Sequence, residues 1–267
     1  MYKRQRLYCA VRKNKGGPSL ARVMTALCGD VEVLERDLGY FLYMSEKPAR
    51  FDVDAARAYL AVEYEIADPL LGPAPLLAVP GVFCRKHLDD GTRALLLELE
   101  RQDVLGDRPP RQVLDLGAGI GPLGLWATRR WPDARLVAVE SNYLAAALVA
   151  ENAARLGCGP RVEVLVADGL PASGPGTGTG SARGRVDLAL VNPPTHAEPE
   201  AFARLVAPLR HWLRPGAPAW FVVNRAGRLA QVLAHTGAEL DLREVPGFTL
   251  VRATWPQGHV NMSEKPA

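Results

Sequence analysis

A glycine-rich turn between an apolar strand and a helix is the feature that most limits the folds open to this chain. Residues 111–124 read Arg-Gln-Val-Leu-Asp-Leu-Gly-Ala-Gly-Ile-Gly-Pro-Leu-Gly, where an apolar run reaches Asp115 and glycine recurs at Gly117, Gly119 and Gly121. Glycine accepts positive φ angles and lets a ligand approach the backbone without an intervening Cβ. The start of the helix that follows attracts anionic groups. The stretch therefore predicts a strand–turn–helix unit that binds a ligand.

Strands and helices alternate along the chain after this turn. Further strands are expected at 136–139, 162–166, 186–191 and from residue 220, and helices at 144–156 and 199–213. One more helix is expected before the turn, at about 90–101. Alternation of this kind predicts a parallel sheet that is covered by helices on both faces. The fold class is therefore α/β.

Polar residues stand where four of the predicted strands end. Asp115 belongs to the first strand, Glu140 to the second, Asp168 to the third and Asn192 to the fourth. Because ligands in open parallel sheets bind beyond the carboxyl ends of the strands, we expect these residues to line one site. The carboxylate of Glu140 can accept hydrogen bonds from both hydroxyls of a ribose, and Asp168 can accept one from an adenine amino group. Each acid alone would more often be a helix cap or a solvated residue, but together they indicate a cofactor site.

The segment Asn192-Pro193-Pro194 decides between two chemistries for such a site. Prolines hold the backbone extended, so the Asn192 side chain and the Pro193 carbonyl can accept hydrogen bonds from a planar exocyclic amine. Those bonds would turn the nitrogen lone pair toward an electrophilic methyl group, which is catalysis by positioning. The glycines also fit a dinucleotide-dependent dehydrogenase, but that enzyme would leave the Asn-Pro-Pro segment without a role.

The first 49 residues predict a β-α-β-β unit whose element order recurs near the end of the chain, at 220–251. The repeat indicates that residues 1–49 copy the closing half of the sheet without its glycine turn; a β-hairpin extension with coincidental similarity is the alternative. Residues 50–79 contain a proline-rich stretch and are expected to be a linker. The catalytic domain is expected at 80–256, followed by a tail at 257–267.

The composition excludes few classes of protein. The chain has 267 residues, a net charge of +3 and a pI near 8.7, which permit a nucleic-acid partner without requiring one. No apolar stretch is long enough to span a bilayer and the start lacks a signal-type apolar core, so we expect a cytoplasmic protein without a membrane partner. The four cysteines contain no Cys-x-x-Cys pair and predict neither a disulfide framework nor a metal site.

Three motifs together resemble one enzyme family. They are Pro80-Gly81-Val82-Phe83, the run Val-Leu-Asp-Leu-Gly-Ala-Gly-Ile-Gly, and Asn-Pro-Pro-Thr-His. These motifs are similar to those of the class I S-adenosylmethionine-dependent methyltransferases that modify guanine N2 in the RNA of the small and large ribosomal subunits. The resemblance implies a Rossmann-like fold with a seven-stranded, mostly parallel sheet. It also implies S-adenosylmethionine as the methyl donor and ribosomal RNA as the partner.

The same resemblance implies roles for individual residues. Those that would act on the target amine are Asn192, Pro193 and Pro194, and Asn192 would also border the cofactor. The residues assigned to the cofactor are Asp115 near its amino group, Gly117, Gly119 and Gly121 around its methionine end, Glu140 at the ribose and Asp168 at the adenine. The residues assigned to the substrate are Thr195, His196 and Phe83.

The chain departs from the family pattern in two places. Thr195 stands where the family usually has an aromatic residue that stacks on the target base, whereas His196 matches the pattern. Stacking is worth about 1–3 kcal/mol per base, and Phe83 and Trp220 are the candidates for the missing ring. The family also resembles a tandem of two domains, the first of which has lost cofactor binding. Residues 1–49 would be a shortened remnant of that domain, with a basic cluster that suits RNA phosphates.

These departures leave two rival functions open. The first is a methyltransferase that acts on a protein amide or a small-molecule amine, because the Asn-Pro-Pro device also suits those groups. The second is a catalytically degenerate module that keeps the cofactor pocket but lacks an aromatic platform at Thr195.

Overall fold

The structure, a computed structural model, describes residues 5–14, 16–46, 63–83, 86–101, 108–170, 185–194 and 199–256. Its contacts divide the chain into two compact units, Met1–Val62 and Glu63–Ala267. The division falls inside the segment for which the sequence predicts a linker.

The first unit contains a three-stranded antiparallel sheet and a helix. Its elements are β1 (Arg6–Arg12), α1 (Gly17–Cys28), β2 (Val31–Asp37) and β3 (Tyr40–Glu46), and the strand order is β1-β3-β2. Met24 of α1 and Tyr43 of β3 are buried in this unit. The β-α-β-β order predicted for the start of the chain is therefore confirmed.

The second unit is built on a seven-stranded sheet. Its elements are β4 (Tyr64–Ile66), β5 (Leu76–Ala78), α2 (Asp90–Arg101), β6 (Gln112–Leu116), α3 (Pro122–Arg130), β7 (Arg135–Glu140), α4 (Tyr143–Arg155), β8 (Val162–Val166), β9 (Leu188–Val191), α5 (Pro199–Val206), α6 (Leu209–Trp212), β10 (Pro218–Val223), α7 (Gly227–His235), β11 (Glu239–Val245) and β12 (Phe248–Thr254). The strand order is β11-β12-β10-β9-β6-β7-β8, and β12 runs opposite to the other six strands. The predicted, mostly parallel sheet is confirmed.

Helices cover both faces of this sheet. Successive residues of a strand point to opposite faces, so Val113 of β6 joins one core and its neighbour Leu114 joins the other. The first core includes residues of α2, α3 and α4, and the second includes residues of α5, α6 and α7. Burial on both faces explains why the central strands read as continuous apolar runs in the sequence.

Residues 63–79, for which the sequence predicts a linker, are part of the second unit. They form β4 and β5, which pair with each other, and Leu76 is buried in the core. Asn152 of α4 fastens β5: Oδ1 accepts from Leu77 N–H at 2.7 Å, and Nδ2 donates to the carbonyls of Leu77 and Ile120 at 3.1 Å each. Three-residue strands between prolines are too short for a periodic signal, and the asparagine that holds them is distant in sequence.

The single helix predicted over 199–213 is wrong in its continuity. The structure has α5 and α6 instead, and Pro208 stands between them. Proline has no N–H with which to continue the helical ladder, so the backbone breaks at this point.

The second unit ends with the same order of elements as the first unit. The elements β10, α7, β11 and β12 follow one another as β1, α1, β2 and β3 do. They also pair in the matching order β10-β12-β11. The element order of the predicted repeat is therefore confirmed.

The helices are short. The longest helix described, α4, has 13 residues, whereas a membrane span needs about 20. In the described ranges, no helix combines the length and the apolar character needed to cross a membrane.

Candidate active site

A cavity opens at the carboxyl ends of the parallel strands, where the order of the sheet reverses. The chain continues from β6 to β7 and β8 on one side, while β9 and β10 lie on the other side of β6. Ligands of open α/β sheets bind at such switch points. The cavity has a volume of about 570 Å³, which suits a cofactor or substrate. The predicted site residues in its lining are Phe83, Gly117, Gly119, Glu140, Asp168, Asn192, Pro193 and Pro194.

The turn after β6 has the predicted conformation. Gly117, Gly119 and Gly121 have φ angles of 75°, 57° and 93°, which other residues rarely adopt. A Cβ at Gly119 would meet nothing within 4 Å, and one at Gly117 would meet only the Asn192 carbonyl oxygen, at 4.0 Å. Because both residues line the cavity, glycine keeps space open against the backbone there. Gly121 instead is the N-cap of α3, where a Cβ would lie 2.9 Å from Leu125.

Asp115 lies behind the turn, outside the cavity lining. Its Oδ2 accepts a hydrogen bond from Gly124 N–H of α3 at 2.7 Å, and Oδ1 is buried without a partner among the described residues. Burial raises the pKa of Asp115 to about 7; the Gly124 N–H opposes this shift and the charge of Glu140 adds to it. The enclosed carboxylate holds the start of α3 against β6, and its contact with the cofactor amino group stays a prediction.

Glu140, at the end of β7, joins two backbone segments beside the cavity. Its Oε2 accepts from Gly119 N–H at 2.8 Å, and its Oε1 accepts from Asn142 N–H at 2.8 Å. Oε1 also accepts from Ser141 Oγ at 3.5 Å, whereas Oε2 has a further lone pair for another donor. Asp168 follows β8 and is exposed in the cavity lining. Both acids thus lie at the cavity, as the sequence predicts.

Asn192, directly after β9, is held by two residues that the sequence analysis does not identify. Its Nδ2 donates to Asp89 Oδ2 at 2.8 Å and to Thr92 Oγ1 at 2.9 Å. Asp89 Oδ2 also accepts from Thr92 N–H at 2.8 Å, so Asp89 caps the start of α2. A carboxylate only accepts, which fixes the orientation of the amide and leaves Asn192 Oδ1 as an acceptor. In the sequence, Asp89 has only the appearance of an ordinary helix cap.

The described part of the cavity lining is acidic. It contains Asp89, Glu140 and Asp168, and no lysine or arginine. The described ranges hold no cluster of three or more His, Cys, Asp or Glu side chains that would suit a metal ion. At the start of α3, Pro122 has no N–H and the Gly124 N–H is taken by Asp115. Dinucleotide phosphates would be repelled here and a cationic ligand attracted, which disfavours the dehydrogenase alternative.

Phe83, Pro193 and Pro194 complete the predicted residues that can be placed. Phe83 is 67% exposed although it lines the cavity, so its ring lies at the rim. Pro193 is buried and Pro194 is exposed. Thr195 and His196, the other two residues assigned to the substrate, lie outside the described residues.

Two relatives with assigned names match a large part of the chain. Ribosomal RNA large subunit methyltransferase G of Streptomyces griseus is 39% identical over 170 residues, which are 61% of this chain and 41% of that protein. Ribosomal RNA small subunit methyltransferase C of Pseudomonas entomophila is 33% identical over 189 residues, which are 68% of this chain and 52% of that protein. The chain thus spans about half the length of these relatives.

A solved structure and a family model also match the chain. The structure is that of the T. thermophilus 16S rRNA N2 G1207 methyltransferase (RsmC) in complex with AdoMet and guanosine, with a TM-score of 0.65 and 26% identity. The match covers 94% of this chain and 65% of that one. The family model, described as the methyltransferase small domain, matches residues 74–251, which include the glycine turn and the Asn-Pro-Pro segment. The chain therefore belongs to the methyltransferase small domain family.

Proposed function

We propose that this chain transfers a methyl group from S-adenosylmethionine to N2 of a guanine in ribosomal RNA. The observation that carries the proposal is the position of Asn192 and Pro193 beside the glycine turn, in one acid-lined cavity. The names of the two relatives support ribosomal RNA as the substrate. The AdoMet and guanosine held by the RsmC structure support the pairing of this cofactor with this base.

The cavity fits S-adenosylmethionine in shape and charge. When bound, this cofactor supplies a methyl group on a positively charged sulfur. The acidic lining favours such a cation, and the open space at Gly117 and Gly119 leaves room for the methionine end. We assign the ribose hydroxyls to Glu140 and the adenine amino group to Asp168.

Asn192 and Pro193 are the residues that we assign to the target amine. The Asn192 amide donates hydrogen bonds to Asp89 and Thr92, which leaves its oxygen to accept a hydrogen bond from the guanine amine. The Pro193 carbonyl accepts the other proton, and together they direct the nitrogen lone pair toward the methyl group. We place Phe83 at the face of the base, where an exposed ring on the cavity rim can stack.

Glu140→Gln is expected to weaken cofactor binding by about 10- to 100-fold, because hydrogen bonds to charged groups are worth about 1.5–3 kcal/mol. Glutamine also accepts at one atom only, so the N–H of Gly119 or of Asn142 would lose its partner. The measurement is the Kd of S-adenosylhomocysteine by calorimetry. Glu151→Gln is the matched control, because Glu151 forms an exposed ion pair with Arg155 on α4. Equal Kd values for the two variants would contradict the role of Glu140.

We assign contact with RNA to the first unit. Arg12 donates to the Tyr40 hydroxyl at 2.7 Å, and its guanidinium lies 5.2 Å from the centre of that ring. Arg6 pairs with Glu46, and Lys13 is exposed in the turn after β1. Exposed cations on one unit suit backbone phosphates, and each contact would steepen the salt dependence of binding. We propose that this unit is the remnant of a degenerate methyltransferase-like domain.

The experiment that tests the function is transfer of tritium from labelled S-adenosylmethionine into ribosomal RNA taken from cells that lack this gene. We expect label in N2-methylguanosine after nucleoside digestion and chromatography. Label in protein or small molecules, with none in RNA, would replace the proposed substrate with the first rival. Cofactor binding by calorimetry without transfer to any cellular fraction would establish the degenerate module instead.

A further inference from the structure

We infer that Asp89 determines specificity for guanine by accepting the ring N–H that lies next to the target amine. The inference rests on the proposed function, because it concerns the base whose amine Asn192 holds. It goes beyond that function because it explains how the site distinguishes guanine from other bases that carry an exocyclic amine.

Asp89 lies where a substrate base would meet it. It lines the main cavity together with Asn192, and the same two residues line a smaller cavity of about 50 Å³ that borders the glycine turn. Asp89 is only partly buried, so its carboxylate is accessible from the cavity. A residue that served only to cap α2 would not need this position.

The two oxygens of Asp89 have different tasks. Oδ2 accepts from the Asn192 amide and from Thr92 N–H, which is the full capacity of one carboxylate oxygen. Within the described residues, Oδ1 takes part in no hydrogen bond. Asn192 likewise has one oxygen without a partner among the described residues: its Nδ2 donates to Asp89 and Thr92, and its Oδ1 takes part in no described hydrogen bond. The bond between the two side chains therefore holds the Asn192 amide and the Asp89 carboxylate next to each other on the lining, each with one oxygen that accepts from no described residue.

Two adjacent acceptors match one edge of guanine. On that edge the N2 amine and the N1–H are neighbouring donors, so one can bind Asn192 and the other Asp89. Adenine and cytosine also carry an exocyclic amine, but the ring nitrogen beside it is an acceptor. That nitrogen would face a carboxylate without a proton between them, which costs the hydrogen bond and leaves the charge unpaired. The pair of side chains thus accepts guanine and rejects the other amino bases.

The test uses 2-aminopurine riboside, which keeps the N2 amine of guanosine but has an acceptor at N1. Binding of each nucleoside is measured by calorimetry in the presence of S-adenosylhomocysteine, for the wild type, Asp89→Asn and Asp90→Asn. Asparagine caps helices as well as aspartate does, so Asp89→Asn keeps α2. Its amide presents a donor where the carboxylate has its vacant oxygen. Asp90→Asn removes the same charge one residue away, at an exposed position outside the cavity lining.

We expect the wild type and Asp90→Asn to prefer guanosine by about 10- to 100-fold, in line with a hydrogen bond to a charged group. In Asp89→Asn the ratio of the affinities for guanosine and 2-aminopurine riboside should fall to about 1 or below. We expect S-adenosylhomocysteine to bind this variant as it binds the wild type. If Asp89→Asn preferred guanosine as strongly as the wild type does, the inference would be overturned and the proposed function would stand. A wild type that binds neither nucleoside and labels no guanine would overturn the proposed function, and the inference with it.

Discussion

Asn192→Ala is expected to lower the rate of methyl transfer by at least about 10²–10³-fold, the scale of losing one preorganised hydrogen bond at a reacting centre. The variant removes the acceptor to which we assign the orientation of the target amine, although the glycine turn and Glu140 stay in the cavity lining. The rate is measured in single turnovers with labelled S-adenosylmethionine and ribosomal RNA. Cofactor affinity is measured as the Kd of S-adenosylhomocysteine, which we expect to change by no more than about twofold.

The two readouts separate positioning from general damage to the site. Loss of Asn192 also leaves Asp89 and Thr92 without one partner, so thermal unfolding is followed alongside to show that α2 keeps its place. Parallel losses in transfer and in cofactor affinity would argue that Asn192 shapes the whole cavity. In that case it would not be the residue that acts on the amine.

The sheet could be predicted from the sequence because its strands are buried on both faces and alternate with helices. The hydrophobic repeats of helices and of strands can be recognised in the sequence without any knowledge of contacts. Accordingly, α2 and β8 begin and end where the sequence predicts. Residues 63–79 could not be read in this way. Their short strands depend on Asn152, which is 75 residues away from Leu77, and no local pattern records that bond.

The candidate site was predictable as far as it follows from strand ends. Glu140, Asp168 and Asn192 line the cavity because parallel strands bring their carboxyl ends to one edge. The partner of Asn192 was not predictable, since Asp89 is 103 residues earlier and precedes a helix like any cap. The motif thus identified Asn192, to which we assign the target amine, and the fold was needed to find Asp89, which orients its side chain.

Asp115 shows that a motif residue can have a structural contact that the sequence does not reveal. The sequence locates it at the end of β6 but does not reveal how deeply it is buried, and the residue is only 1% exposed. With the folded pKa raised to about 7 from 3.8, the folded protein keeps a proton that the unfolded chain has released at intermediate pH. The free energy of unfolding therefore decreases as the pH rises between these two values.

Asp115→Asn is expected to remove this pH-dependent decrease in the free energy of unfolding. The free energy of unfolding of the variant, relative to that of the wild type, should therefore increase by about 2–3 kcal/mol between pH 5 and pH 7, at about 1.4 kcal/mol per pKa unit. Asparagine can still accept from Gly124 N–H, which preserves the contact with α3. The measurement is urea unfolding at several pH values, where other titrating groups cancel in the difference. Asp133→Asn, in an exposed turn, should keep a constant difference from the wild type. If Asp115→Asn and the wild type followed parallel pH curves, the carboxylate would be charged throughout and the burial argument would be wrong.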